Sequence, residues 1–152
     1  MQPDYPALAE FRYQIRRFLH FSEQAAREAR MEPRQHQFLL ALKGLPVNMR
    51  PNIGTLADRM QIRSHSAVEL VNRLAKRGLV QRRQADGDGR EVELVVTAKG
   101  EAVLHRLSLH HRAELQGAGP ALMTALNAVL RPKRVRKKLA RKQLNEKADR
   151  KR

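Results

Sequence analysis

The stretch GTLADRMQIRSHSAVELVNRLAKRGLVQRRQADGDGREVELVVTAKG, residues 54–100, decides the fold. It holds two short helical patterns, Leu56–Met60 and Ala67–Arg77, within a few residues of each other. In the second, Ala67, Leu70, Val71 and Leu74 recur at helical spacing and form an apolar stripe. Gly78 then ends it. A strand pattern follows at Leu79–Arg83, then a tip rich in Asp and Gly (Ala85-Asp86-Gly87-Asp88-Gly89-Arg90), then a returning strand at Glu91–Thr97. Asp-Gly pairs between two strand runs are a strong hairpin signal, because glycine accepts positive φ. Thr97-Ala98-Lys99-Gly100 opens another helix. Helix, turn, helix, hairpin is the order of a winged helix-turn-helix, a DNA-reading module.

Charge points the same way. The chain of 152 residues has 31 Lys/Arg against 15 Asp/Glu, a net charge of +16. Residues 131–152 hold 12 of the basic and 2 of the acidic residues, so they supply +10 of that excess. The body is only moderately basic. This length suits one domain with a tail, and the 41% hydrophobic content is enough for a core. With no cysteine, a disulfide framework, a thiolate zinc site and a thiol redox sensor are excluded. No apolar run approaches the ~18 residues of a membrane helix. The start, Met1-Gln2-Pro3-Asp4, shows neither a basic n-region nor an apolar h-region, so the expectation is a soluble cytoplasmic protein without a membrane partner.

Working outward, residues 5–30 predict a helix. Leu8, Phe11, Ile15, Phe18 and Ser22 follow alternating spacings of three and four, and Ala25, Ala26 and Ala29 continue the stripe. Leu19 and Phe21 widen the apolar surface, which serves either a second subunit or the core of the same chain. Pro33 opens a second helix through Phe38, Leu39, Leu40 and Leu42, and Gly44 stops it. The next helix, from Ile53 to Met60, has two candidate caps: Asn52, or a capping box of Thr55 with Asp58. After Thr97 a helix runs through Val103, Leu104, Leu107 and Leu115. Gly117-Ala118-Gly119-Pro120 is expected to break it before a final apolar helix at Ala121–Leu130. Residues 131–152 have too few apolar side chains to bury and are expected to be disordered when free.

Opposite the buried stripe of the second motif helix, the sequence places Ser66, Glu69, Arg73 and Lys76, with His65 beside them at the N-terminal end. Short residues let a helix enter a major groove closely, and basic ones meet flanking phosphates. The plainer alternative is a solvated helix face. Arg90, just past the hairpin tip, has the reach for a minor groove, where the potential is most negative. Asp86 or Asp88 is expected to orient it.

Residues 5–130 resemble the MarR family of bacterial transcriptional regulators. The resemblance runs through Gln35-His36-Gln37-Phe38-Leu39-Leu40, Leu56-Ala57-Asp58-Arg59-Met60 and Val71-Asn72-Arg73-Leu74-Ala75-Lys76-Arg77-Gly78-Leu79-Val80. Its most specific part is Asp86-x-Asp88-x-Arg90-x-x-x-Leu94-x-x-Thr97-x-x-Gly100, which sets wing tip, returning strand and helix start together. The resemblance implies a mainly α fold with a small β-hairpin wing and N- and C-terminal dimerisation helices. Residues 1–130 then form the winged-helix domain, with 5–30 and 98–130 as the dimer layer and 33–97 as the DNA-binding lobe. Residues 131–152 are the basic tail. The resemblance further implies a homodimer on double-stranded DNA, acting as a regulator or repressor on two half-sites about one turn apart. By the same resemblance Arg63, Ser64, His65, Ser66 and Arg73 make groove and phosphate contacts, and Arg90 is the wing arginine. A small-molecule effector is implied in a cleft involving the first two helices, with His20, His36 and Phe38 as candidates. Two positions depart from the family pattern. Val68-Glu69 replaces a common Thr-Arg pair, leaving Glu69 to accept from a cytosine amino group or to close a capping box with Ser66. Asn72 stands where Asp is usual.

An enzyme is not expected, because no nucleophile elbow and no phosphate-cradling glycine loop is present. No cofactor and no metal are expected either. His105, His110 and His111 lack a nearby carboxylate pattern, and surface positions on a helix explain them. The main rival is a non-specific architectural DNA binder, which the basic tail suits.

Overall fold

The computed structural model describes residues 3–85, 87 and 90–131. Its elements, in order, are α1 (Tyr5–Glu28), α2 (Pro33–Lys43), α3 (Ile53–Met60), α4 (Ser64–Lys76), β1 (Val80–Gln84), β2 (Val92–Val96) and α5 (Ala98–Leu130). The chain is mainly helical with one antiparallel hairpin. α3, the turn after it, α4 and the hairpin make a winged helix-turn-helix.

Local chemistry sets the element ends. At α3 the Asn52 cap prevails: its Oδ1 accepts from the Thr55 N–H at 2.9 Å. Gln61 closes α3 in the left-handed region with φ 54°, and the Ile62 N–H returns to the Ala57 carbonyl at 3.0 Å. α4 starts at Ser64, three residues before the expected Ala67, with extended Arg63 in the cap position. Ser66 and Glu69 therefore lie inside the helix, which removes the capping box expected between them. Gly78, at φ 70°, ends α4. Its N–H bonds the Ala75 carbonyl and the Leu79 N–H bonds the Leu74 carbonyl, both at 2.9 Å. This paired closure turns Leu79 into the core. α1 ends the same way, before residue 30, because Arg30 takes φ 55° and the Met31 N–H reaches back to Ala26.

The hairpin pairs Val80 with Val96, Arg82 with Leu94 and Gln84 with Val92. Val80 and Leu94 point into the core. The Leu94 N–H also donates to the Pro51 carbonyl at 2.7 Å, tying the strand to the loop before α3. Thr97 locks the base of the hairpin. Its Oγ1 donates to the Gly78 carbonyl at 2.6 Å and accepts from the Gly100 N–H at 3.1 Å, while its own N–H donates to Leu79. Gly100 has no alternative here, since a Cβ would stand 2.3 Å from the Leu79 oxygen.

Two compact units divide the described chain. One runs from Arg17 to Gly117; the other holds the residues up to Arg16 and those from Ala118 onward. The core of the first gathers Phe38, Leu39 and Leu42 of α2, Leu56 of α3, the α4 stripe, Leu79, Val80, Leu94 and Leu104. Arg77 clamps it at one side, donating to Gln35 Oε1 at 2.8 Å and to the Arg30 carbonyl at 2.9 Å. In the second unit Gln14 and Ala125 are buried, whereas Tyr5, Tyr13, Met123 and Leu130 are exposed.

The expected break in the last helix also fails. Gly117–Pro120 does not break the helix: α5 is continuous through Pro120. A proline inside a helix removes one hydrogen bond and costs about 3 kcal/mol. Alanine- and leucine-rich turns on both sides favour the helix strongly enough to carry it across.

Candidate nucleic-acid interface

α4 buries Ala67, Leu70, Val71 and Leu74. The residues directly opposite, at spacings of four, three and four, are His65, Glu69, Asn72 and Lys76, and all are exposed. This ridge is rotated from the face expected from sequence. Ser66 is half-buried at one flank, and Arg73 lies on the same flank. Arg63 and Ser64 are exposed at the N-terminal end. That end also carries the unpaired amides and positive pole of the helix, which suit a phosphate.

Arg73 is held by Glu32, with Nη1 3.4 Å from Oε2. Both side chains are largely exposed, so the pair is weak and a phosphate can displace the carboxylate. On the hairpin, Arg82 and Arg83 of β1 and Arg90 beyond the tip are exposed. The expectation that Asp86 or Asp88 orients Arg90 lies outside the described residues, as does the character of residues 132–152. A contact missed in the sequence joins wing to ridge: Arg82 Nη2 donates to Asn72 Oδ1 at 2.6 Å. The signal was available, because Asn72 falls on the same helical spacing as His65, Glu69 and Lys76.

A second site lies within the Arg17–Gly117 unit. A cavity of about 490 Å³ is lined by Phe18, Leu19, Leu40 and Leu115, with Ser22, His36, Gln37, Ser108, His111, Arg112 and Gln116 as its polar groups. His36 and His111 stack with ring centroids 4.8 Å apart and planes 13° from parallel. Phe18 and Phe21 meet His111 edge-on at 6.2 and 6.0 Å, so these two rings serve their own chain. Both His36 ring nitrogens and His111 Nε2 are buried without a hydrogen-bond partner. Burial, then the nearby His111, pushes the His36 pKa down to about 4. Burial also lowers that of His111, which main-chain hydrogen bonding at Ser22 partly opposes. The pair is therefore neutral near pH 7. Of the effector candidates from sequence, only His36 lines this cavity. Phe38 is wholly in the core and His20 is exposed. His111 corrects the surface reading: it sits one turn beyond Leu107 on the inward stripe of α5, while His105 and His110 are exposed.

A helix-turn-helix whose second helix turns a full ridge outward beside a hairpin defines the winged-helix class. Within that class, residues 31–91 match the model described as the MarR family. Solved structures share the fold over much of the chain. RV1404 from Mycobacterium tuberculosis is 19% identical with a TM-score of 0.67, over 84% of this chain and 92% of that one. A mutant of MepR from S. aureus, bound to an oligodeoxyribonucleotide, is 14% identical with a TM-score of 0.61, over 99% and 100%. CouR from Rhodococcus jostii, bound to p-coumaroyl-CoA, is 21% identical with a TM-score of 0.56, over 64% and 67%. No curated protein matches the chain in sequence. No helix among the described residues is long and apolar enough to cross a membrane.

Proposed function

We propose that this chain is a cytoplasmic, non-enzymatic transcription regulator that binds a pseudo-palindromic DNA site as a homodimer and represses by occupying it. The observation that carries this reading is the α4 ridge of His65, Glu69, Asn72 and Lys76, turned away from the core beside an arginine-bearing hairpin. The ridge enters the major groove, where Glu69 accepts from a cytosine amino group. Arg63, Ser64 and Arg73 meet the flanking backbone, and Arg90 enters the minor groove. The DNA-bound MepR structure supports this use of the fold. Tyr5, Tyr13, Met123 and Leu130, large side chains left exposed in the second unit, support a second subunit there.

The cavity at His36 and His111 is the proposed effector site. Its buried, unpartnered imidazole nitrogens support a ligand that hydrogen-bonds them, and CouR offers a ligand-bound parallel.

Selection of bound duplexes from a random pool tests the main reading. The expected result is two inverted half-sites about one helical turn apart. Binding without sequence preference would instead support the architectural alternative, which the net charge of +16 favours. Sedimentation at micromolar concentration should give twice the chain mass; a monomer would remove the two-half-site arrangement.

A further inference from the structure

We propose that Asn72 positions Arg82 without neutralising it, so that Arg82 carries a full positive charge at the edge of the α4 ridge and meets a phosphate of bound DNA. This inference rests on the DNA-binding reading above.

Arg82 stands on β1 with its cross-strand partner Leu94 buried in the core. Its guanidinium turns to α4 and gives Nη2 to Asn72 Oδ1 at 2.6 Å. The acceptor is an amide, so the bond fixes direction and leaves the charge uncompensated. Ion pairs occur at Arg27, Lys43, Arg50 and Arg73, and Arg82 makes none among the described residues. Glu69, one turn before Asn72 on the ridge, does not pair with it. A guanidinium has five N–H donors, and this bond uses one. The others remain to bind a phosphate in the flat two-pronged geometry that arginine favours. An aspartate at 72 would accept the same hydrogen bond and cancel the charge. The identity of residue 72 therefore sets how many cations the wing offers to DNA, separately from base reading.

The test is salt-dependent binding of the full chain to a labelled duplex carrying the selected site, and to a random duplex, followed by fluorescence anisotropy. Asn72→Asp should reduce the slope of log affinity against log salt by roughly 0.9 for each bound subunit, on both duplexes. Arg82→Ala should reduce the slope by the same amount. Asn72→Ala and Arg82→Lys, which keep the cation, should preserve the slope. If thermal unfolding shows Asn72→Asp to be unfolded, Arg82→Ala alone decides. An unchanged slope in Arg82→Ala, or an equal drop in Asn72→Ala and Asn72→Asp, would overturn the proposal while leaving DNA binding intact. Failure of the unaltered chain to bind any duplex would instead overturn the parent reading, and this one with it.

Discussion

Acidification should destabilise this protein through His36 before its carboxylates matter. The imidazole is buried, both nitrogens lack partners, and His111 is stacked on it. Burial, and then the neighbouring His111, lowers its pKa from 6.5 to about 4. The sign follows from linkage. Between those two values the unfolded chain binds a proton that the folded chain refuses, so folding weakens as pH falls. The contribution is fully present above about pH 6.5 and lost progressively toward pH 4. At about 1.4 kcal/mol per pH unit, the loss is capped on the order of 3 kcal/mol. That is a sizeable share of the roughly 5–15 kcal/mol that holds an ordinary domain together. His36→Phe removes the titrating group and forfeits no hydrogen bond, so it should cost little at pH 7.5. Urea unfolding of both proteins from pH 7.5 to 4 measures the difference. The two stability curves should diverge below pH 6.5, with the variant the more stable at pH 4. Parallel curves across that window would refute the reasoning, since the carboxylates are common to both chains.

Three further outcomes are expected. Gly100→Ala should destabilise by roughly 2–3 kcal/mol in urea unfolding, the upper part of the usual overpacking range, because its Cβ would meet the Leu79 carbonyl at 2.3 Å and that oxygen also holds the Thr97 N–H; a neutral result would mean that the hairpin base yields. Arg90→Ala should weaken DNA binding with no change in thermal unfolding, and hydroxyl-radical footprints should lose a minor-groove protection; an unchanged footprint would leave the wing a structural part only. Deleting residues 131–152, which carry +10, should flatten the salt slope and weaken selected and random duplexes together while leaving the preferred site unaltered. An unaltered slope would mark the segment as a solubilising extension.

The hairpin and its joints were legible because their signals are local. Gly78, Thr97 and Gly100 act on carbonyls and amides within a few residues of one another, or across a single hairpin, and each is a residue type with few substitutes there. The start of α4 was less legible. Arg63 caps nothing with its side chain, so no residue type marked the boundary. The outward face differs with it: the sequence reading takes Ser66, Glu69, Arg73 and Lys76, whereas the structure puts Asn72 in the ridge and Ser66 and Arg73 on its flank. The Pro120 break failed for a related reason. Gly117, Gly119 and Pro120 each disfavour a helix locally, and the many helical turns on either side outweigh them.

What stayed hidden is chemistry between elements distant in sequence. Arg73 reads from sequence as a free phosphate ligand, yet it already has Glu32, 41 residues away. Arg77 has the same residue type and lies one turn on, but is committed to Gln35 at a separation of 42. Its second bond, to a main-chain carbonyl, makes it a clamp. One exposed pair can be exchanged for DNA; the other cannot be released without loosening the packing of α4 on α2. His36 and His111 make the same point for the cavity. Each alone is an unremarkable histidine on a helix, and only the packing of α5 beside α2 stacks a buried, unpartnered His36 on a half-buried His111. Composition and spacing identify where cations and imidazoles occur. Which of them remain available for binding depends on the partners that folding supplies, and here those partners separate Arg82, left charged by an amide, from Arg77, already spent on the core.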